Sequence, residues 1–320
     1  MRYQKLDLNL LTALRALLAE KSVTRAGEVV HVTQSAMSGI LGRLRDYFGD
    51  PLIVPVGRKM ELTPLAERLV EPVNDVLLRI DATIATRPEF DPEVSHRRFS
   101  IIASDYLIHV LLADVLRRIH VESPGVSVEF RGPSELATAE LEAGEVDFVV
   151  SPESLGTSEQ SGAALFEDSY MILADIDNPE VGDSISIEQY LGMRHVAFQN
   201  GVHGLPHFET WLANRYGEER TVDVVVNSFL LLPRLVVGTA RIATMHTRLA
   251  NQLANQVVGP LPLRLVRPEF EIPKLVEVLQ WHKYRDMDPA SIWLRTHIIE
   301  AARLLPPSSS LERIGRLAAA

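Results

Sequence analysis

A chain of 320 residues is longer than one hydrophobic core usually spans and predicts a small and a larger folding unit, while 46% hydrophobic and 23% charged residues give the balance of a soluble globular protein. The absence of cysteine excludes disulfides, thiolate nucleophiles, iron–sulfur ligation and the usual structural zinc sites. The net charge of −10 is unevenly spread: residues 1–63 hold nine Lys/Arg against six Asp/Glu, a balance of +3, which leaves −13 on the remainder. A mildly basic head on an acidic body can approach phosphate while the body stays off it.

The first twenty residues are amphipathic and include Asp7 and Glu20, which is not the pattern of a secretory signal. The most apolar run, Ser228 to Gly238, is broken by Pro233 and Arg234 and falls short of the ~20 residues that cross a bilayer. The expectation is a cytoplasmic protein with no membrane partner.

Leu8, Leu11, Leu14, Leu17 and Leu18 recur at helical spacing and predict a helix over 7–20. Ser22 starts a second helix that runs from Val23 to Val30, and Thr33 is placed to cap a third that ends near Phe48. Met37, Ile40, Leu41, Leu44 and Phe48 fall on one face of that third helix and must pack on the first two, which makes a helix-turn-helix. After the break at Gly49-Asp50-Pro51, residues 52–54 and 59–62 predict a β-hairpin around Gly57-Arg58, a wing. From Pro64, Leu65, Leu69, Val73, Val76, Ile80 and Ile84 form a narrow seam on a long helix, with Pro72 inside it, and such a seam fits pairing with a second chain.

A polar connector, Pro88 to His96, separates this head from alternating strands and helices. The pattern predicts strand 98–103, helix 105–121, strand 126–130, helix 134–143 and strand 146–150. A second set follows: strand 164–174, helix 187–191, strand 195–199, helix 206–216, strand 221–226, helix 229–238, strand 241–245, helix 246–254 and strand 262–266. Such alternation predicts two α/β lobes with parallel sheets and ligands at the carboxyl ends of strands. The expected divisions are a winged helix-turn-helix at 1–63, a linker helix at 64–88, a two-lobed domain at 95–305 and a loose tail at 306–320.

Four segments in order and spacing carry a resemblance: Leu6-Asp7-Leu8-Asn9-Leu10-Leu11, Ser22-Val23-Thr24-Arg25-Ala26-Gly27, Thr33-Gln34-Ser35-Ala36-Met37-Ser38 and Leu62-Thr63-Pro64. Together they resemble the LysR-type transcriptional regulators. Arg98-Phe99, Ser104-Asp105, Gly144-Glu145-Val146-Asp147-Phe148 and Asp288-Pro289-Ala290-Ser291-Ile292-Trp293 are similar to the subgroup of nodulation and aromatic-degradation regulators. The resemblance implies an α/β protein with a winged helix-turn-helix, a long dimerisation helix and a periplasmic-binding-protein-like effector domain. It also implies a homodimer or homotetramer on double-stranded promoter DNA, a small aromatic effector, contact with RNA polymerase, and activation of a catabolic or symbiosis-type operon, with no cofactor.

In that family the third helix enters the major groove, which marks Thr33, Gln34, Ser35 and Ser38 as base and phosphate contacts. Ser35, Ser38, Gly39, Gly42 and Arg43 lie off the apolar face, a small-residue surface able to sit deep in a groove. Gly39 departs from the family, many members of which have a basic residue there. Arg25, Arg43, Arg45, Arg58 and Lys59 would then be phosphate clamps.

For the effector, Ser104 and Asp105 lie where a strand gives way to a helix, and Ser134 follows the next strand; both places also suit plain helix capping. Phe198, Gln199, Asn200 and His203 follow a strand of the second lobe, and Phe229 and Trp281 are weaker candidates, more often core residues than ligand contacts. His203 and His207 are four apart but have neither a third ligand nor an evident shared helix, so no metal is expected. The competing reading is an α/β enzyme acting on a small aromatic or carboxylate substrate, yet no dinucleotide, phosphate-loop, Gly-x-Ser-x-Gly or His-Glu-x-x-His motif occurs.

Overall fold

The computed structural model describes residues 7, 9–57, 59–84, 90–153, 160–199, 207–217, 220–254 and 261–308. The chain divides into two compact units whose main boundary falls between Arg87 and Pro88. Arg58, Asn200 and His203, singled out above, and most of the expected tail lie outside the described residues.

The first unit begins with α1 (Asn9–Glu20), α2 (Val23–Val29) and α3 (Gln34–Phe48). Each start has a side-chain acceptor for a backbone N–H that the helix itself leaves unpaired. Asp7 Oδ1 accepts from Asn9, Ser22 Oγ from Arg25, and Thr33 Oγ1 from Ala36 at 3.2 Å. At the end of α3, Gly49 takes φ +64°, a left-handed conformation that suits glycine, and its N–H returns to the Arg45 carbonyl. Leu14, Ala26, Met37 and Leu44 are fully buried where the three helices meet. Gly27 lets the α2 end approach the following turn, since a Cβ there would stand 3.0 Å from the Val32 carbonyl oxygen.

The wing is β1 (Ile53–Val56) paired antiparallel with β2 (Lys59–Leu62), with Ile53 opposite Leu62. The long helix α4 (Pro64–Ile84) follows at once. Thr63 joins two segments: its hydroxyl donates to Asp50 Oδ1 at 2.6 Å and accepts from Ala66 N at 3.1 Å, and so ties the turn after α3 to the first turn of α4. The predicted seam of α4 divides. Val73 is buried in the core of the head and Leu69 half-buried against it, whereas Val76 remains exposed.

The second unit holds two lobes. In chain order its elements are β3 (Arg98–Ile102), α5 (Asp105–Leu107), a π-helical turn (Ile108–Leu112), α6 (Ala113–Glu122), β4 (Ser127–Arg131), α7 (Ala137–Glu142), β5 (Phe148–Pro152), β6 (Ser161–Asp168) and β7 (Tyr170–Asp175). Then come β8 (Ser184–Ile185), α8 (Ile187–Gly192), β9 (Arg194–Phe198), α9 (His207–Tyr216), β10 (Thr221–Val226), a 3₁₀ turn (Phe229–Leu231), α10 (Leu232–Val236), β11 (Ile242–His246) and α11 (Thr247–Ala254). The last are β12 (Leu263–Pro268), β13 (Leu275–Trp281), a 3₁₀ turn (Lys283–Arg285) and α12 (Pro289–Arg303). One lobe has the five-stranded order β4-β3-β5-β13-β6, the other the six-stranded order β10-β9-β11-β7-β12-β8.

Two expectations need correction. The predicted strand 164–174 is two strands in different sheets, separated at Ser169. Burial explains the division: β6 is a sheet edge with one wet face and alternates, whereas β7 is interior and buried almost throughout. The sheets are also mixed rather than parallel. Strand β13, absent from the predicted set, runs antiparallel to β5 and β6, and β7 runs antiparallel to β11 and β12. The chain thus leaves the first lobe after β6 and returns to it in β13, and α12 packs on β6 and α6. Asp288 caps α12 by accepting from Ala290 and binds Arg97 at 2.7 Å, which locks the returning segment to β3.

Because Thr63 satisfies two groups at a buried junction, Thr63→Ala should destabilise the head by about 1–2 kcal/mol. Urea titration of the full chain, followed by helical circular dichroism, should show an earlier first transition; an unmoved midpoint would remove Thr63 as the junction.

Candidate nucleic-acid interface and effector cavity

The head presents one polar helix face. Gln34, Ser35, Ser38, Gly39 and Arg43 are exposed, on the side of α3 away from buried Met37, Leu41 and Leu44. A Cβ added at Gly39 or Gly42 would meet nothing within 4 Å among the described residues, so the surface is open as well as small. Thr33 is exposed beside them, its hydroxyl 3.0 Å from that of Ser35. Arg43 and, on the wing, Lys59 are exposed and form no ion pair among the described residues.

Arg25 and Arg45, expected as phosphate clamps, are exposed and are also bonded within the head. Arg25 donates to the Glu20 carboxylate at 2.8 Å and to the Glu20 carbonyl at 2.6 Å. Arg45 donates to the carbonyls of Pro51 at 2.8 Å and Ile53 at 3.1 Å, acceptors that the sharp exit from α3 leaves without a ladder partner.

Between the two sheets of the second unit lies a cavity of about 320 Å³, at the small end of the roughly 300–1,000 Å³ of ligand pockets. Ser104, Ser134, Phe198 and Phe229 line it, as expected from sequence. Phe198 and Phe229 stack on each other at 3.8 Å with 11° between planes. The hydroxyl of Ser104 accepts from Leu107 N at 3.4 Å, so it caps α5 and still has a proton to donate. Ser134 lies 3.4 Å from Glu140 Oε1.

Three expected contacts have other roles. The Asp105 carboxylate receives Ser228 Oγ at 2.6 Å and the N–H groups of Phe229 and Leu230 at 3.1 Å, capping the 3₁₀ turn of the opposite lobe rather than facing the cavity. The reason is that the free N–H groups at a helical start are the strongest local demand for a carboxylate. Trp281 is buried outside the cavity lining, its indole donating to Asp286 at 2.6 Å under the Arg295 guanidinium. Gln199 is not among the residues that line the cavity; its backbone N–H extends the pairing to β10 by bonding the Val226 carbonyl.

The structure adds residues that the sequence reading missed: Tyr106, Tyr170, His246 and Glu277 on the cavity wall, with Asp168 behind them. Tyr106 stacks on His246 at 3.9 Å and 10°, and its hydroxyl donates to Asp168 at 2.7 Å. Burial, opposed by the bonds from Tyr106, Ser169 and Arg248, leaves Asp168 with a pKa raised to about 6. Burial, reinforced by the Asp168 charge, raises Glu277 to about 8; burial alone lowers His246 to about 3, so its ring is neutral at neutral pH. Glu277 had a signal in the sequence: a carboxylate inside the run Leu275-Val276-Glu277-Val278-Leu279 is unusual for a buried strand. On the second-lobe side Arg220, also on the wall, is held by the Tyr190 hydroxyl at 2.9 Å and His195 Nδ1 at 3.1 Å. Among the described residues no group of three or more His, Asp or Glu could hold a metal ion.

A winged helix-turn-helix followed by two α/β lobes that enclose a cavity defines a regulator of the bacterial helix-turn-helix type. Residues 8–67 match the bacterial regulatory helix-turn-helix protein profile of the lysR family, and residues 92–303 match the LysR substrate binding domain. The chain belongs to the LysR family of transcriptional regulators, and this family consists of regulators, not enzymes. It is 39% identical over 302 residues to nodulation protein D 1 of Bradyrhizobium sp. (strain NC92), covering 94% of this chain and 95% of that one. It is 38% identical over 317 residues to nodulation protein D 3 of Rhizobium meliloti (strain 1021), covering 99% and 100%. Among solved structures, a probable transcriptional regulator of Pseudomonas aeruginosa superposes with TM-score 0.62 at 28% identity, covering 95% and 99%. CbnR complexed with its target DNA shares the fold, with TM-score 0.50 at 15% identity, covering 93% and 100%. Among the described residues no helix is long and apolar enough to cross a membrane.

Glu277 and Asp168 are raised acids, so each binds its proton more tightly in the folded than in the unfolded chain. The stability this gives is full below the unfolded pKa, near 4.5 for glutamate, and is lost as pH rises through the folded value, about 8 for Glu277. Glu277→Gln removes that loss. The variant's melting temperature should gain on the parent's from pH 5 to pH 8; a constant difference across that range would show that Glu277 is not held protonated.

Proposed function

We propose that this protein is a sequence-specific regulator that binds promoter DNA through α3 and the wing, acts in the cytoplasm as a homodimer or homotetramer, and responds to a small aromatic effector. The observation that carries the effector reading is the cavity walled by Phe198, Phe229, Tyr106 and Tyr170, with lining from both sheets. Flat, apolar ring faces around a small volume favour a planar aromatic guest. The names of the curated relatives, nodulation proteins, support an activating role on a symbiosis-type or catabolic operon. CbnR has been solved on its target DNA, which supports the same mode of binding here.

The mechanism follows from the two lobes. A guest shifts a lobe equilibrium only by its preference for one arrangement, so contacts made to both sheets are what convert binding into a signal. In an oligomer assembled through the exposed side of α4 that carries Val76, altered lobes change the spacing and bending of DNA and hence contact with RNA polymerase. Gln34, Ser35 and Ser38 read bases, while Arg43, Lys59 and Arg58 set register on phosphates.

Two experiments test the division of labour. Lys59→Ala should weaken binding uniformly across duplex sequences and reduce the slope of log affinity against log salt by about 1; Ser38→Ala should change the preferred site in a selection from random duplexes. Retained preference together with an unchanged salt slope would remove α3 and the wing as the interface. Ser104→Trp should abolish the effector response of a promoter fusion while leaving affinity for the upstream DNA intact. Equal loss of both would refute the separation of sensing from binding.

A further inference from the structure

Three groups of the second lobe converge on one acid of the first. Ser228 Oγ donates to the Asp105 carboxylate at 2.6 Å, and the backbone N–H groups of Phe229 and Leu230 donate to it at 3.1 Å each. From its own lobe the same carboxylate accepts the N–H of Tyr106 at 3.0 Å. Bonds to a charged acceptor are stronger than neutral ones, so this set holds the facing turn of the second lobe against the start of α5.

Both ends of the set adjoin the cavity. Ser104, next to Asp105 in the chain, lines it, and so does Phe229, one of the donors. A guest that displaces the Phe229 ring or the Ser104 side chain therefore displaces a donor or the acceptor, and hydrogen bonds weaken steeply once distance and angle are lost. The set is also releasable. Asp105 and Ser228 are only half-buried and Leu230 and Leu231 are exposed, so the parted groups meet water at once. Exchanging a protein partner for water costs far less than leaving a buried group unpaired.

On the reading that the arrangement of the lobes carries the signal, we propose that the bonds from Asp105 to the turn at Ser228–Leu230 form a releasable latch. It fixes one of two lobe arrangements, and a guest trips it by moving Phe229 or Ser104. Asp105 and Ser228 are thus positioning residues for the response, not contacts of the guest.

The test uses the full chain, which has no cysteine of its own, with Ile176→Cys and Met287→Cys carrying spin labels at exposed positions of the second and the first lobe. Diluted with unlabelled chain, the pair reports the separation of the lobes by double electron–electron resonance. Asp105→Asn puts an amide NH2 where an oxygen now accepts, and Ser228→Ala removes one donor from the other side. Each should bring up a second separation, shifting the ratio of the two by about tenfold, the equivalent of ~1.4 kcal/mol. The combined variant should go little further than Asp105→Asn alone, because the two changes break one unit. In a promoter fusion that requires the parent chain, both single variants should move the basal output in the same direction. Ser228→Ala keeps both backbone donors and so guards against a fold defect in the asparagine variant. A separation unchanged in every variant, or outputs displaced in opposite directions, would overturn the latch while leaving the cavity as an effector site. Altered separations with the parent's output would overturn its part in regulation. The effector reading falls separately, to a Ser104→Trp variant that keeps the full response.

Discussion

The carboxylate of Asp105 stands at the start of α5 in one lobe and receives a hydroxyl and two backbone N–H groups from the turn at Ser228–Leu230 in the other. Charge-assisted bonds to a carboxylate exceed neutral ones in strength, and three converge on this group. The clamp holds the base of Phe229, whose ring stacks on Phe198 and meets Tyr106 edge-on at 6.2 Å. Tyr106, one residue along from Asp105, reaches in the other direction to Asp168 and lies flat on His246. The aromatic wall is therefore assembled from both lobes around a single acid.

The head follows a different logic. Its three helices pack around Leu14, Ala26, Met37 and Leu44, a core too small to allow slack, and its caps and turn contacts fix the exits. Arg45 spends its guanidinium on the chain that leaves α3, and Thr63 fastens the same turn to the long helix. Gln34, Ser35, Ser38, Arg43 and Lys59 stay exposed on the surface, Ser35 bonded only to its neighbour Thr33 and Arg43 and Lys59 without an ion pair among the described residues. Rigid backbone beneath, uncommitted polar groups above: this is the arrangement that groove reading requires.

Most of the head was legible in the sequence because its information is local. Helical spacing of leucines, Ser22 and Thr33 before helices, and Gly49 after α3 each act within one turn. The lobes were legible as alternation, but not in their wiring. The split at Ser169 and the return in β13 are long-range facts, visible in sequence only as a change from alternating to continuous burial. The cavity was half legible: Ser104, Ser134, Phe198 and Phe229 follow from their places at strand ends. Asp105 was misread since a carboxylate at a helix start looks the same whether a guest or a neighbouring turn supplies the N–H groups. Tyr106 and His246 were missed because each sits inside a regular element whose pattern reads as core, and Glu277 because its strand, β13, was not in the predicted set. Arg43, which forms no ion pair among the described residues, likewise could not be told from Arg25 and Arg45 by charge alone.

The two passages of the chain between the sheets, one at Ser169 and one between β12 and β13, have a mechanical consequence. A body tethered to another at two points keeps one easy motion, swinging about the line that joins them, as a door does on its pins. Sliding and twisting are both denied. Under the effector reading proposed above, a guest between the sheets acts through a small change of angle, which the far ends of the lobes enlarge into displacement. In such a device the sensitivity of the whole lies with distance from the axis rather than with the strength of any one contact.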